Sequence, residues 1–467
     1  MNGVANHQVT IFVRHQIINL LKIQIMRKIY FLLLISALFV STVFAQTEGG
    51  EEEKEKKEKV KSGWSFGAVP VIAYDTDIGF KYGGLVNFYD YGDGSIYPDY
   101  RHSIYVEWSM TTKGSGINNL AYDSKYLIPK VRTSLDLNYL TEKALNFYGY
   151  NGYESDYNLD FEDDEHADYK SRMYYRHERN LLRFTADFQG ELIGKKLLWV
   201  AGFGFYGSKI ASVDIDNLND GKDEEDKLPS VEDVPGVYEQ YVASGIIPES
   251  EKDGGNISII KLGVVYDTRD NEPNPFSGMW SEAFLQASPS FLGSDASYTQ
   301  FSITNRQYFT LKKDILNFAY RLSYQTKLSG DMPFYMLPFV YYSNKPTRNG
   351  LGGSKTLRGI RRNRIVGDGF AYGNFELRWK FLRTVIWNQN LYIALSGFSD
   401  AGIVTKKYEF DMPAGAEIAD DESLHLSYGL GLHFALNQNF IIAVDYGMAA
   451  NKQDGNTGLY IGLNFLY

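Results

Sequence analysis

Five histidines between residues 46 and 467, His102, His166, His177, His425 and His433, are the first candidates for acid–base or metal chemistry. His425 and His433 fall on one strand-like stretch and share a face by alternation, but eight residues at ~3.4 Å each set them roughly 27 Å apart. They cannot share a metal or a substrate. No GxSxG is present, and no Ser or Asp stands at a spacing that would complete a nucleophilic triad. The chain has no cysteine, which removes disulfides and Cys-based metal sites. The acidic stretch Val213–Glu225, VDIDNLNDGKDEE, lacks the Asp/Asn spacing and closing Glu of an EF-hand loop, so it reads as a solvated outer loop. Its alternative role is to hold divalent cations against lipopolysaccharide. No catalytic residue, cofactor or resident metal is expected, and no nucleic-acid partner.

A different chemistry is written in Gly352–Arg364, GGSKTLRGIRRNR. Lys345, Arg348, Lys355, Arg358, Arg361, Arg362 and Arg364 occur with no acid between Ser343 and Arg364, in a chain whose net charge is -10. Gly350, Gly352, Gly353 and Gly359 permit tight turns among them. Such a loop has three uses: binding lipopolysaccharide phosphates, lying solvated on the surface, or folding into an interior that supplies carboxylates. The elements around it decide.

From Trp64 to the end, segments of about ten residues alternate apolar with small or polar side chains and are rich in Tyr, Phe and Gly. This pattern predicts an all-β, 16-stranded antiparallel transmembrane β-barrel. Strands are expected near 64–74, 77–88, 101–111, 116–127, 131–142, 172–190, 197–208, 256–266, 279–290, 297–309, 315–327, 369–382, 391–401, 423–436, 440–448 and 458–467. In the last of them Leu459, Ile461, Leu463, Phe465 and Tyr467 should face lipid. Tight connections at 128–130, 193–196, 311–314 and 437–439 alternate with long ones at 143–171, 209–255, 328–368 and 402–422, which places the long ones outside the cell. The apolar piece Phe334–Tyr341 stays inside its loop, because a seventeenth strand would reverse the sidedness of everything after it.

The start of the chain supports export. Residues 26–45, MRKIYFLLLISALFVSTVFA, read as a signal peptide with a basic n-region, an apolar run and a small-residue cleavage site. Residues 1–25 read as an over-called start, 46–63 as a disordered charged periplasmic tether, and 64–467 as the outer-membrane barrel.

Alternation also aims the partners of the basic loop. In NFELRWKF, Phe375, Leu377, Trp379 and Phe381 face lipid, so Glu376, Arg378 and Lys380 face the lumen; Asp400 in FSDAG points inward by the same rule. An unpaired carboxylate in a crowded lumen costs several kcal/mol, and an Arg fork satisfies it at two oxygens. The long outer loop at about 328–368 is therefore expected to fold into the lumen, with Arg358 meeting Asp400 and Glu376 nearby.

These residues resemble the bacterial surface antigen family, the superfamily of outer-membrane protein assembly factors and two-partner-secretion transporters. Leu357-Arg358-Gly359-Ile360 is similar to its [VL]-R-G-[FY] loop motif, with Ile where an aromatic is usual. Phe398-Ser399-Asp400-Ala401-Gly402 matches its F-x-D-x-G strand motif, and Tyr266-Asp267-Thr268-Arg269-Asp270 with Asn274-Pro275 and Gly278 resembles its D-x-R-D-x-x-x-x-P-x-x-G turn. The resemblance covers about Asn256–Tyr467 and implies a barrel with a weak first/last-strand seam, here Trp64–Tyr74 against Gly458–Tyr467. It implies assistance to insertion or translocation of proteins, or of lipids, at the outer membrane, without an enzymatic reaction. Partners would be outer-membrane lipid and lipopolysaccharide, unfolded outer-membrane protein clients, and periplasmic or lipoprotein accessory factors. The chain departs from assembly-type members in leaving no room for a POTRA domain between Gln46 and Trp64. The competing expectations are a passive pore or structural barrel and, third, a hydrolase dependent on His425 or His433.

Overall fold

The computed structural model describes residues 60–467 apart from 98, 344, 387–388, 412–417 and 437–439. The expected signal peptide, most of the tether and the tight turn at 437–439 lie outside the described residues.

Alternating side chains make each strand two-faced, and a sheet with one apolar and one polar face satisfies both by closing on itself in lipid. Sixteen antiparallel strands do so here. They are β1 (Trp64–Asp75), β2 (Gly79–Asp90), β3 (His102–Thr111), β4 (Gly116–Ile128), β5 (Val131–Asn146), β6 (Arg176–Ile193), β7 (Leu197–Ala211) and β8 (Gly254–Asp267). The second half comprises β9 (Gly278–Ser288), β10 (Tyr298–Lys312), β11 (Leu316–Gly330), β12 (Gly369–Ile386), β13 (Gln389–Lys406), β14 (His425–Leu436), β15 (Phe440–Ala449) and β16 (Thr457–Leu463). Along β14, Leu426, Tyr428 and Leu430 are exposed while His425, Ser427 and His433 are buried, which is the period of two that the sequence carries.

Connections 147–175, 212–253, 331–368 and 407–424 fall at one end, and 129–130, 194–196 and 313–315 at the other. Length makes the first end the outer one. Exposed rings collect at both: Trp64, Phe66, Tyr126, Phe309 and Trp379 toward the short turns, Tyr82, Tyr139, Tyr324 and Tyr428 toward the long loops. They mark the two lipid–water boundaries. Phe334–Tyr341 adds no strand. Phe334–Met336 is a 3-10 turn and Val340 makes an isolated bridge to Thr347. Phe334, Tyr335 and Phe339 are buried in one cluster with Tyr148, Tyr175 and Tyr238 from other outer connections and Tyr206 from β7.

The seam departs from the rest of the wall. β1 pairs with β2 along its whole length, Trp64↔Asp90 to Asp75↔Gly79, but with β16 only at Tyr74↔Ile461 and Asp75↔Tyr460. Just beyond, Thr76 N–H donates to the Leu459 carbonyl at 3.2 Å, and Leu459 N–H to Thr76 Oγ1 at 2.7 Å. The seam is zipped at its outer end alone.

The sequence expectation for the last strand needs correction here. β16 stops at Leu463, and Asn464 adopts φ 67°, a left-handed conformation that Asn tolerates better than most residues. Phe465 is then buried instead of facing lipid, its ring 4.5 Å from that of His433 and 4.1 Å from the Arg378 guanidinium. The Tyr467 hydroxyl donates to the carbonyls of Ala319 at 3.1 Å and Asn374 at 3.2 Å, with Arg378 Nη2 donating to the Tyr467 carbonyl at 3.2 Å. Alternation alone cannot reveal this turn, because Phe465 and Tyr467 keep the apolar spacing of a lipid-facing strand. Lumen-facing arginines offer the rings cation contacts that lipid does not.

Candidate functional site at the lumen loop and the seam

β13 presents Phe398, Asp400 and Gly402 on its lumen face because alternate residues share a side. Each meets the loop in a different way. Asp400 accepts a fork from Arg358, Nε to Oδ2 at 3.0 Å and Nη2 to Oδ1 at 3.2 Å, and Oδ2 also accepts from the Arg358 backbone N–H at 3.0 Å. The Phe398 ring lies 3.5 Å beneath the guanidinium. A Cβ at Gly402 would stand 2.8 Å from Leu357 Cδ1 and 3.1 Å from Leu351 Cδ1, so a side chain there would press on two buried leucines of the loop. The spacing F-x-D-x-G is thus a ring, a carboxylate and a gap set at the strand period.

The loop side is equally specific. Leu357 and Ile360 are fully buried in a cluster with Val340, Leu351, Ile365, Phe370 and Val404. Between them Gly359 has φ 95°, and its backbone rests against β15 so closely that a Cβ on Gly447 would lie 2.6 Å from the Arg358 carbonyl. A side chain at either glycine would part loop from wall. Gly359 N–H donates to the Tyr460 hydroxyl on β16 at 3.1 Å.

Arg358 Nη1 also lies 3.5 Å from Glu376 Oε2 and 3.4 Å from Asp445 Oδ2. Glu376 in turn accepts from Arg378 Nε at 3.3 Å, and Arg378 holds Phe465 and Tyr467. Two routes therefore join the loop to the seam strand, one through Gly359 and Tyr460, the other through Glu376 and Arg378. Every member is buried except Tyr467, which is half-buried. Removing one partner of such a buried network leaves a charge without compensation, which typically costs ~3–5 kcal/mol.

A model of the Omp85 superfamily domain matches residues 113–465, well over half the chain. The chain belongs to the Omp85 superfamily. Among solved structures it is similar to BamA from Haemophilus ducreyi lacking POTRA domains 1–3, at 15% identity and TM-score 0.51 over 87% of this chain and 71% of that one. It is also similar to CdiB from Escherichia coli, at 9% identity and TM-score 0.54, over 87% of this chain and 63% of CdiB. At these identities the likeness is one of fold. No curated protein sequence matches. The family match begins at 113, far ahead of the sequence motifs after Asn256, and it makes this Omp85 barrel an outer-membrane protein.

The other basic residues of the loop are spread over the barrel wall and outer connections. Lys345 pairs with Asp136, Arg348 Nε lies 3.7 Å from Glu142 Oε1, and Arg362 Nη1 lies 3.5 Å from the same oxygen. Arg364 donates to the carbonyls of Gln453, Gly152 and Ser155 at 2.6, 2.8 and 3.0 Å. Lys355 is exposed at the tip. Sequence reading does not assign Asp445 to Arg358, and it gives no partner to Glu142 or Asp136. Both lie on β5, at lumen positions three strand periods apart, and parity would have found them. His425 and His433 sit apart: His425 lies between Asp454 Oδ1 at 2.5 Å and Glu422 Oε2 at 3.2 Å, and His433 Nε2 is 3.4 Å from Asp445 Oδ1.

Proposed function

We propose that this Omp85 barrel assists the insertion or translocation of proteins at the outer membrane through the β1/β16 seam, with the basic loop as its plug and without an enzymatic reaction. The observation that carries this reading is the seam itself, two ladder pairs at the outer end where neighbouring strands pair throughout. The backbone of β1 from Trp64 to Ala73 has no β16 partner among the described residues. Such an edge offers N–H and C=O groups to an incoming strand, and strand addition supplies affinity through main-chain hydrogen bonds. The hooked residues 464–467 keep the end of β16 out of that register. Clients would be unfolded outer-membrane proteins, met with lipid and lipopolysaccharide around the wall and with accessory factors on the periplasmic side.

The seam can be locked. Because the chain has no cysteine, Tyr74→Cys with Ile461→Cys introduces a single thiol pair across the zipped end. Oxidation should stop client assembly and reduction restore it. Full assembly with the disulfide formed would exclude the seam route.

A further inference from the structure

The turn between β8 and β9, residues 268–277, belongs to the short-turn end, yet it reaches far from its own strands. On one side Glu272 Oε1 pairs with Arg132 Nη1 of β5 at 3.2 Å. On the other, Asn274 Nδ2 donates to the Tyr392 hydroxyl of β13 at 2.7 Å, and Lys380 of β12 lies 4.5 Å over the Phe276 ring. In the closed strand order β5 and β13 stand half the circumference apart, so these contacts span the periplasmic mouth. A ten-residue link between adjacent antiparallel strands needs no such span, since two to five residues close a hairpin.

The turn is also built to hold its shape across the gap. Asp270 Oδ1 accepts from Phe276 N–H at 2.9 Å and Ser277 N–H at 3.2 Å, and Asn271 Oδ1 accepts from Asn274 N–H at 2.9 Å. Arg269 forks onto Asp267 at 3.0 and 2.6 Å and lies 4.2 Å over Trp280. Pro273 stiffens the link between Glu272 and Asn274, and Pro275 the link from Asn274 to Phe276. The turn's ends are fixed by the strands and its middle by Asx-type bonds; the Phe276 carbonyl also accepts from Thr310 Oγ1 of β10 at 3.2 Å and Asn317 Nδ2 of β11 at 3.4 Å, while on the β5 side the turn meets Arg132 through Glu272. That distribution suits a strap that moves as a unit when the anchors part.

We propose that residues 268–277 form a strap across the periplasmic mouth that restricts entry of chain-sized molecules into the lumen, held shut by Arg132–Glu272 and Asn274–Tyr392. This control acts on the lumen and does not depend on the seam serving clients. Lys355, exposed at the tip of the lumen loop, gives a reporter: Lys355→Cys is the only thiol in the protein. The full chain in nanodiscs is treated with a small maleimide and with one carrying a long polyethylene glycol arm. In the Glu272→Gln/Tyr392→Phe background, which keeps both side-chain volumes, the long reagent should react about tenfold faster, equivalent to losing ~1.4 kcal/mol of closure. The small reagent should change far less, since the strap excludes by size. Glu272→Lys, at a largely exposed position facing Arg132, breaks one anchor without touching the core and should give an intermediate rise. Unchanged labelling by the long reagent in both variants, each still migrating as a folded barrel, overturns the proposal. If the double variant does not fold, an unchanged rate in Glu272→Lys overturns it alone.

Discussion

At the scale of single residues, Arg358 is the point where most of the lumen chemistry meets. Its guanidinium serves Asp400 at two oxygens, touches Glu376 and Asp445, and covers Phe398. Lysine would keep the charge and lose the fork, so Arg358→Lys should behave closer to Arg358→Ala than to the parent. Each of Arg358→Ala and Asp400→Ala is expected to lower barrel stability by ~3–5 kcal/mol, read as a lower temperature for loss of the folded, fast-migrating form in detergent gels. A double-mutant cycle should return a coupling of at least ~1 kcal/mol; additive effects would dissolve the pair. Gly402→Val makes a different demand, since its side chain meets Leu357 and not a charge. It should expose residues 343–368 to protease while leaving Arg358 and Asp400 chemically intact.

At the scale of elements, strands were legible because alternation and an even count constrain one another, and the inward aim of Glu376 and Asp400 followed from parity alone. What parity could not supply was which loop residue meets which wall residue, beyond a pair fixed by charge. The end of β16 shows why most clearly: Phe465 and Tyr467 have the spacing of lipid-facing residues, and the decision to turn inward rests on Arg378, on β12. Tyr467→Ala should therefore free the tail, extend β15–β16 pairing past Leu463, and raise protection of β16 amides in hydrogen exchange. The turn joining β1 and β2 adds a pH term. Asp77 Oδ2 is buried without a hydrogen-bond partner beside Gly353 of the loop, and burial first, then the Asp75 carboxylate, push its pKa up to about 6, against Arg362, Arg361 and Lys113. A carboxyl raised in the folded state binds its proton more tightly there than when unfolded. Its contribution is complete below the ordinary value of 3.8 and is lost as pH rises through about 6. Loop protection from protease should thus be greater at pH 5 than at pH 7.5, and Asp77→Asn should remove the difference.

At the scale of the whole molecule, a sixteen-stranded wall encloses a lumen wide enough to conduct unless something fills it. In the function proposed for this barrel the filling is the loop 331–368, whose Leu351, Leu357, Ile360 and Ile365 are wholly buried and whose Arg358 is bound to three strands of the wall. A passive pore and a plugged, seam-opening barrel consequently make opposite electrical predictions. The pore conducts steadily in a planar bilayer as purified. The plugged barrel stays mostly closed, with rare openings, and becomes a steady conductor when residues 343–366 are replaced by a short Gly-Ser linker. Deletion also removes Arg358 from Asp400, Glu376 and Asp445, so Asp400→Asn and Asp445→Asn should accompany it to relieve the carboxylates left unpaired. The outer connections remain as a partial cover, because Tyr148 and Tyr175 pack on each other and on Tyr157, and Tyr238 on Phe147 and His177, contacts that do not involve the deleted residues. Conductance of the deletion variant should accordingly rise well above the parent yet stay below that of an unobstructed barrel of the same strand number. A large steady current from the unaltered protein would show that the loop does not close the lumen, and the pore would then be the better account of this chain.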